Sequence, residues 1–148
     1  MMEGPVNVYA IYYGDWSNES AGKAILANLF TNIGNTSYYK IQQTYTNAAG
    51  TPLSVTISFK GGVTSGIDAM ASLIIHELEE AHSDPFGTAW FDSSGYENAD
   101  KCVWTYRTLY TASNGAKYNV VVGSKQYLLQ QNWLNVGRGS CAMASNKK

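Results

Sequence analysis

Charge is scarce in this sequence. Asp, Glu, Lys and Arg make up 14% of it, against roughly 25% in ordinary soluble proteins. The formal net charge is −1, and no basic stripe exists to neutralise phosphates, which argues against nucleic acid as a partner. Long apolar runs are also missing. No stretch approaches the ~20 residues of a membrane-spanning helix. Residues 1–5 have neither the basic start nor the apolar run of a signal peptide, so a mature form is expected. The chain has no phosphate-binding loop, no nucleophile elbow and no C-x-x-C redox pair.

Apolar and aromatic side chains are plentiful, at 45% and 13% of 148 residues. That content specifies a folded protein, and the length suits one domain, residues 1–148, with a single core. Its polar surface must come largely from Asn, Ser, Thr, Gln and 11 tyrosines, a composition suited to proteins outside cells that pack against sugars or one another. Cys102 and Cys141 are the only cysteines. They fit one disulfide in an oxidising compartment or two buried thiols in a reducing one. The sequons Asn18-Glu19-Ser20 and Asn35-Thr36-Ser37 make Asn18 and Asn35 candidate glycosylation sites.

Patterning predicts an α+β fold: a single domain with a mixed or antiparallel sheet, two helices and about five strands. Residues 6–13 are β-branched and aromatic and read as a strand. Ala24, Ile25 and Leu29 have helical spacing within residues 21–30, with Ser17 or Asn18 as cap and a stop near Gly34. Residues 38–45 and 53–59 read as a hairpin across the turn-rich 47–52. A second helix opens at Thr64 or Ser65 and ends around His82, because Pro85 disfavours helix at Asp84. An ordered loop over 86–101 follows, then strands at 103–110 and 118–122 around Asn114-Gly115. Residues 127–133 are ambiguous.

The scarce charge is unevenly placed. Eight of the 11 acidic residues lie between Gly61 and Asp100, a segment with no Lys or Arg. Crowded carboxylates repel, and a bound cation is the simplest stabiliser, a solvated acidic face being the plainer alternative. Within this segment, His76-Glu77-Leu78-Glu79-Glu80 puts His76 and Glu80 four apart on one helical face, where they can ligate one metal ion. Glu77, turned about 100° from His76, suits a general base. A third ligand must come from the loop, which offers Asp84, Asp92, Glu97 and Asp100. His82 is on another face and reads as a helix-end residue, and Asp84 also suits backbone hydrogen bonds in the turn before Pro85. Trp90, Phe91, Tyr96, Trp104 and Tyr106 serve equally well as core or as a sugar-stacking wall.

Three blocks of the sequence resemble the EXORDIUM/phosphate-induced protein family. They are Gly4-Pro5-Val6-Asn7-Val8-Tyr9 with Tyr12-Tyr13-Gly14-Asp15-Trp16, the stretch from His76 through Asp84-Pro85, Ala89-Trp90-Phe91-Asp92 and Glu97 to Cys102, and Tyr127-Leu128-Leu129-Gln130-Gln131-Asn132-Trp133 with Cys141. The family's middle is longer, whereas here Phe59-Lys60-Gly61-Gly62 runs almost directly into the His76 helix. The resemblance implies a secreted, extracellular protein of the cell wall or cell surface, with a zincin-like metal-site helix. The resulting expectation is a site of His76, Glu80, Asp84, Glu97 and Asp100 holding Zn²⁺, or Ca²⁺ if only oxygens ligate. Glu77 would be the base if the centre hydrolyses anything, a peptide bond first. Matrix or cell-wall components are the expected partners. The rival reading is a structural, self-associating subunit of an extracellular surface or filament.

Overall fold

A computed structural model of the protein describes residues 2–10, 18–62, 68–113 and 116–145. Strand β1 (Val6–Ala10) is followed by helix α1 (Ser20–Asn32), 3₁₀ turns at Ile33–Asn35 and Tyr39–Thr44, β2 (Ile57–Gly62) and helix α2 (Asp68–Ser83). A loop with a 3₁₀ turn at Asp100–Cys102 leads to β3 (Tyr110–Thr111), β4 (Lys117–Tyr118), β5 (Val120–Val122), β6 (Lys125–Tyr127), β7 (Asn132–Leu134) and β8 (Ser140–Ala142). The class is α+β, as composition and pattern predict. Among the described residues the strands form four two-stranded ribbons. One is parallel, β1 with β2 in the register Val6↔Ile57 and Val8↔Phe59, and the other three are antiparallel.

The expected hairpin of residues 38–45 with 53–59 does not form. β2 pairs with β1 instead, and Thr46↔Pro52 is an isolated bridge. Residues 39–44 are a 3₁₀ helix, and the physical reason lies in the period. Tyr38, Ile41 and Thr44 are buried, as are Tyr39, Gln42 and Tyr45, while Lys40 is exposed and Gln43 half-buried. Two rows repeating every third residue match a helix of three residues per turn. The helix α1 also differs at its start: Glu19 occupies the cap position with no side-chain cap hydrogen bond. Past its end, Gly34 lets the chain cross β2, where a Cβ would run into the Val55 carbonyl. Residues 103–109, expected as strand, are exposed turn and loop apart from half-buried Tyr106, and only Tyr110–Thr111 pairs with β4. Residues 11–17, 63–67 and 114–115, which include the expected end of the first strand, the start of the second helix and the Asn114-Gly115 turn, lie outside the described residues.

The main core joins Leu26, Leu29, Phe30 and Ile33 to Tyr38, Tyr39, Ala71, Ile75, Val122, Tyr127 and Leu129. A second, smaller core of Ile41, Tyr45, Leu53 and Ala142 packs with Trp90, Trp133 and Leu134. Between them α2 is enclosed on most sides. From residue 71 onward only Leu73, Glu77 and Ala81, a single stripe, are exposed. Its inward polar residues face protein rather than solvent, with Glu79 Oε1 and His82 Nε2 buried without a hydrogen-bond partner among the described residues. Glu79 is 0% exposed, and burial pushes its carboxyl well above the usual range. The Tyr38 hydroxyl lies 3.4 Å from Glu79 Oε2 and donates at 2.7 Å to the Gln130 carbonyl. His82 Nδ1 stands 3.1 Å from the Tyr39 hydroxyl, with the two rings stacked.

Cys102 and Cys141 form a disulfide with a Cα–Cα distance of 5.6 Å across 39 residues of chain. It ties the end of the acidic loop to β8. By loop-closure entropy this crosslink stabilises the fold by about 4 kcal/mol. Reduction, or the double change C102S/C141S, is expected to lower the melting temperature by roughly 10 °C. Calorimetry with and without reductant measures it, and an unchanged midpoint would contradict that role.

A pH dependence follows from His82. Burial pushes its imidazole from 6.5 down to about 4. Between those values the unfolded chain binds a proton that the folded chain does not, so the contribution of His82 to stability is fully present above about pH 6.5 and declines as pH falls toward 4. The loss attributable to His82 is about 3 kcal/mol. Urea titrations at pH 7 and pH 4 should show a smaller acid loss in His82→Gln than in the wild type.

Candidate metal centre

Helix α2 and the loop after it bring the acidic residues together. Ser72, His76 and Glu80 share one buried face of α2 at four-residue spacing. The loop returns so that Asp100 N–H donates to Glu80 Oε1 at 3.1 Å. His76 Nε2 lies 3.0 Å from Glu80 Oε1 and 3.5 Å from Asp100 Oδ1. Donor atoms around a tetrahedral zinc are separated by about 3.3 Å, so His76 Nε2 stands at ligand spacing from each of these two carboxylate oxygens. Two overlapping triads result, His76–Glu77–Glu80 and Glu80–Glu97–Asp100, each with its ligand atoms within 4.8 Å of one another. Glu80 belongs to both.

The expected site residues divide as follows. His76, Glu77, Glu80, Glu97 and Asp100 are brought together. Asp84 lies outside both triads: its Oδ1 accepts the N–H groups of Thr88 and Ala89 at 2.7 and 2.8 Å, the turn role its position before Pro85 suggests. Its Oδ2 is buried and without a hydrogen-bond partner among the described residues, and the group is close enough to help raise the Glu97 carboxyl. Asp92 is taken by Lys101 at 2.6 Å, which holds its carboxyl below the usual range. Lys101 also lies 4.4 Å over the Trp133 ring. Glu77 is on the exposed stripe of α2, within reach of the first triad and open to solvent. Asn18 and Asn35 are both exposed.

Electrostatics favour a positive charge here. Burial, then the carboxylates of Glu80, Asp84, Asp100 and Glu77, push the Glu97 carboxyl up. The hydrogen bond and charge of Glu80 raise His76 to about 9, against the opposing effect of burial. A proton on His76 thus supplies the positive charge that a cation would otherwise bring. The donor set fits a divalent metal: a nitrogen with carboxylates in the zinc manner, or carboxylate oxygens alone in the calcium manner.

Sequence reasoning did not single out Gln130. Its side-chain amide stands 2.7 Å from His76 Nδ1, and its backbone N–H donates to Ser72 Oγ at 3.0 Å. The amide nitrogen that faces Nδ1 also donates to the Ala99 carbonyl at 3.2 Å, so Gln130 fixes the orientation of the His76 ring from the side away from the carboxylates. The Gln130-Gln131-Asn132 run, three amides ending in a buried position, was the available signal.

Comparison with known proteins gives a partial likeness. The chain is 34% identical over 84 residues to Protein EXORDIUM-like 3 of Arabidopsis thaliana, a match taking in 48% of this chain and 25% of that protein. The chain thus spans about a quarter of the length of this relative. No protein-family model and no solved structure matches. The match supports a distant EXORDIUM-like relationship, and the His/carboxylate triads and the Cys102–Cys141 disulfide stand beside it as features of the structure.

Proposed function

We propose that this chain is a secreted, EXORDIUM-like extracellular domain built around a divalent-cation centre, with His76, Glu80 and Asp100 as ligands and Glu97 completing the shell. The observation carrying this reading is the pair of ligand triads sharing Glu80, in a segment without a single Lys or Arg. Zn²⁺ is the preferred ion because of the His76 nitrogen, and Ca²⁺ is the alternative through the all-oxygen triad. Asp84 acts on the shell from outside, by fixing the loop and by its charge.

When bound, zinc lowers the pKa of a coordinated water and polarises a carbonyl. The chain's own contributions are separable. Gln130 orients the His76 ring, and Glu77, exposed beside the ligands, takes up a proton as general base. The substrate class that fits this division of labour is a peptide bond. The second reading, a structural cation in a self-associating surface or filament subunit, draws on apolar side chains exposed in the same loop, Phe86 at 86% and Phe91 at 51%. Under it the centre binds metal without Glu77-dependent hydrolysis.

Elemental analysis of the purified protein is expected to give one divalent metal per chain, and chelation to lower its melting temperature. Glu80→Gln and Asp100→Asn should each reduce metal affinity at least tenfold. Metal-free protein with unchanged stability in chelator would remove the centre. Glu77→Gln separates the two readings: retained metal with lost peptidase activity supports hydrolysis, whereas no activity in the wild type and concentration-dependent assembly support the structural role. Expression through a secretory pathway should give glycosidase-sensitive mass at Asn18 and Asn35, and N18Q/N35Q protein of unshifted mobility would argue against modification.

A further inference from the structure

A groove of about 550 Å³ opens where β4 and β6 face the chain that follows the disulfide, a volume typical of ligand sites. Trp104, Tyr106, Tyr118 and Tyr127 line it, with Lys117 and Lys125 among them and no carboxylate among the described lining residues. Ser72, one turn before His76, also lines it, but none of His76, Glu80, Glu97 or Asp100 does. The groove and the cation centre are therefore neighbours on α2 with separate chemistry.

Trp104 is the unusual residue. Its φ is 57°, the left-handed region that bulky side chains avoid, yet its side chain is not buried as a core residue's would be, and it is 65% exposed. The turn enforces this. Cys102 is fixed by the disulfide, the Thr105 N–H and hydroxyl both donate to the Cys102 carbonyl, and the Thr105 carbonyl accepts the Gln131 N–H. Core packing does not explain a large ring held out of its preferred backbone conformation at the surface, and such strain is characteristic of binding sites. The other rings are also fixed in place. Tyr118 lies against Tyr110 with centroids 5.5 Å apart, and the Tyr127 hydroxyl donates to the Ile25 carbonyl at 2.7 Å. Rigid aromatic faces bind with little entropy loss.

Charge defines the ligand further. The ion pairs among the described residues are His76–Glu80, His76–Asp100 and Lys101–Asp92, so neither groove lysine is neutralised by a carboxylate. Lys117 donates to Thr111 Oγ1 at 2.7 Å. In a chain of net charge −1, this makes a local positive patch flanked by π faces. The C–H face of a pyranose ring complements the negative face of an aromatic ring, and a ring carboxylate complements the lysines. An extended peptide adds as a strand to a free sheet edge, and β4 and β6, only two and three residues long, offer little edge for it.

We propose that this groove binds an acidic oligosaccharide, its sugar rings stacked on Trp104 and Tyr118 and its anionic groups paired with Lys117 and Lys125. Calorimetric titration of the full chain with hexagalacturonate tests it, alongside the fully methyl-esterified hexamer, a heparin hexasaccharide and poly-glutamate. Saturable binding of either acidic sugar is expected, the tighter of the two showing whether carboxylate or sulfate is preferred. The methyl-esterified hexamer should bind at least tenfold more weakly. Trp104→Gly should weaken binding at least tenfold with a melting temperature equal to or above wild type, because glycine adopts this φ without strain. K117Q/K125Q should weaken it at least tenfold and flatten its salt dependence. Binding must persist after treatment with chelator, which separates it from the cation centre. Absence of saturable binding, equal binding by Trp104→Gly, poly-glutamate matching the sugars, or loss of binding on chelation would each overturn the assignment.

Discussion

Helix α2 is enclosed on most sides while carrying two histidines and two carboxylates on its buried faces, and the rest of the molecule is arranged to meet that demand. A buried carboxylate without partners is unstable. One buried face of the helix meets it with Tyr38, Gln130 and the polar side chains around Glu79, where burial drives the carboxyl toward its neutral form. The other meets it by returning the loop so that Asp100 N–H reaches Glu80 and a protonated His76 lies among the acids. The two faces therefore handle charge in opposite ways, one by neutralising it and the other by gathering it.

The disulfide extends that arrangement outward. It secures the 3₁₀ turn at Asp100–Cys102, so the loop carboxylates are held at the helix rather than left in solvent. Two residues later the same anchor fixes the turn that presents Trp104. A single crosslink thus supports both the acidic centre and the aromatic, lysine-bearing groove beside it.

Much of the site was legible because its signal is local. His76 and Glu80 share a face by helical geometry, and the absence of Lys and Arg from residues 61–100 marked the region as electrostatically unpaired. The loop partners were narrowed only to a set, because which carboxylate returns to a helix depends on chain path: Glu97 and Asp100 reach it, while Asp84 and Asp92 are engaged by loop amides and by Lys101. The misread hairpin was a matter of period. Tyr38 through Tyr45 has strand-like composition, but its buried rows repeat every three residues, and buried Gln42 hides that rhythm from a hydrophobicity count.

By itself the sequence determined the class of the fold, the end of α2, and the residue types of the candidate acidic centre, since each depends on neighbours within a few positions. Only the tertiary structure decided that β2 pairs in parallel with β1, that Gln130 stands against His76, and that Trp104, Tyr106, Tyr118 and Tyr127 line one groove. Those contacts join segments tens of residues apart. They are selected by how the whole chain buries α2, a condition that no local window of sequence contains.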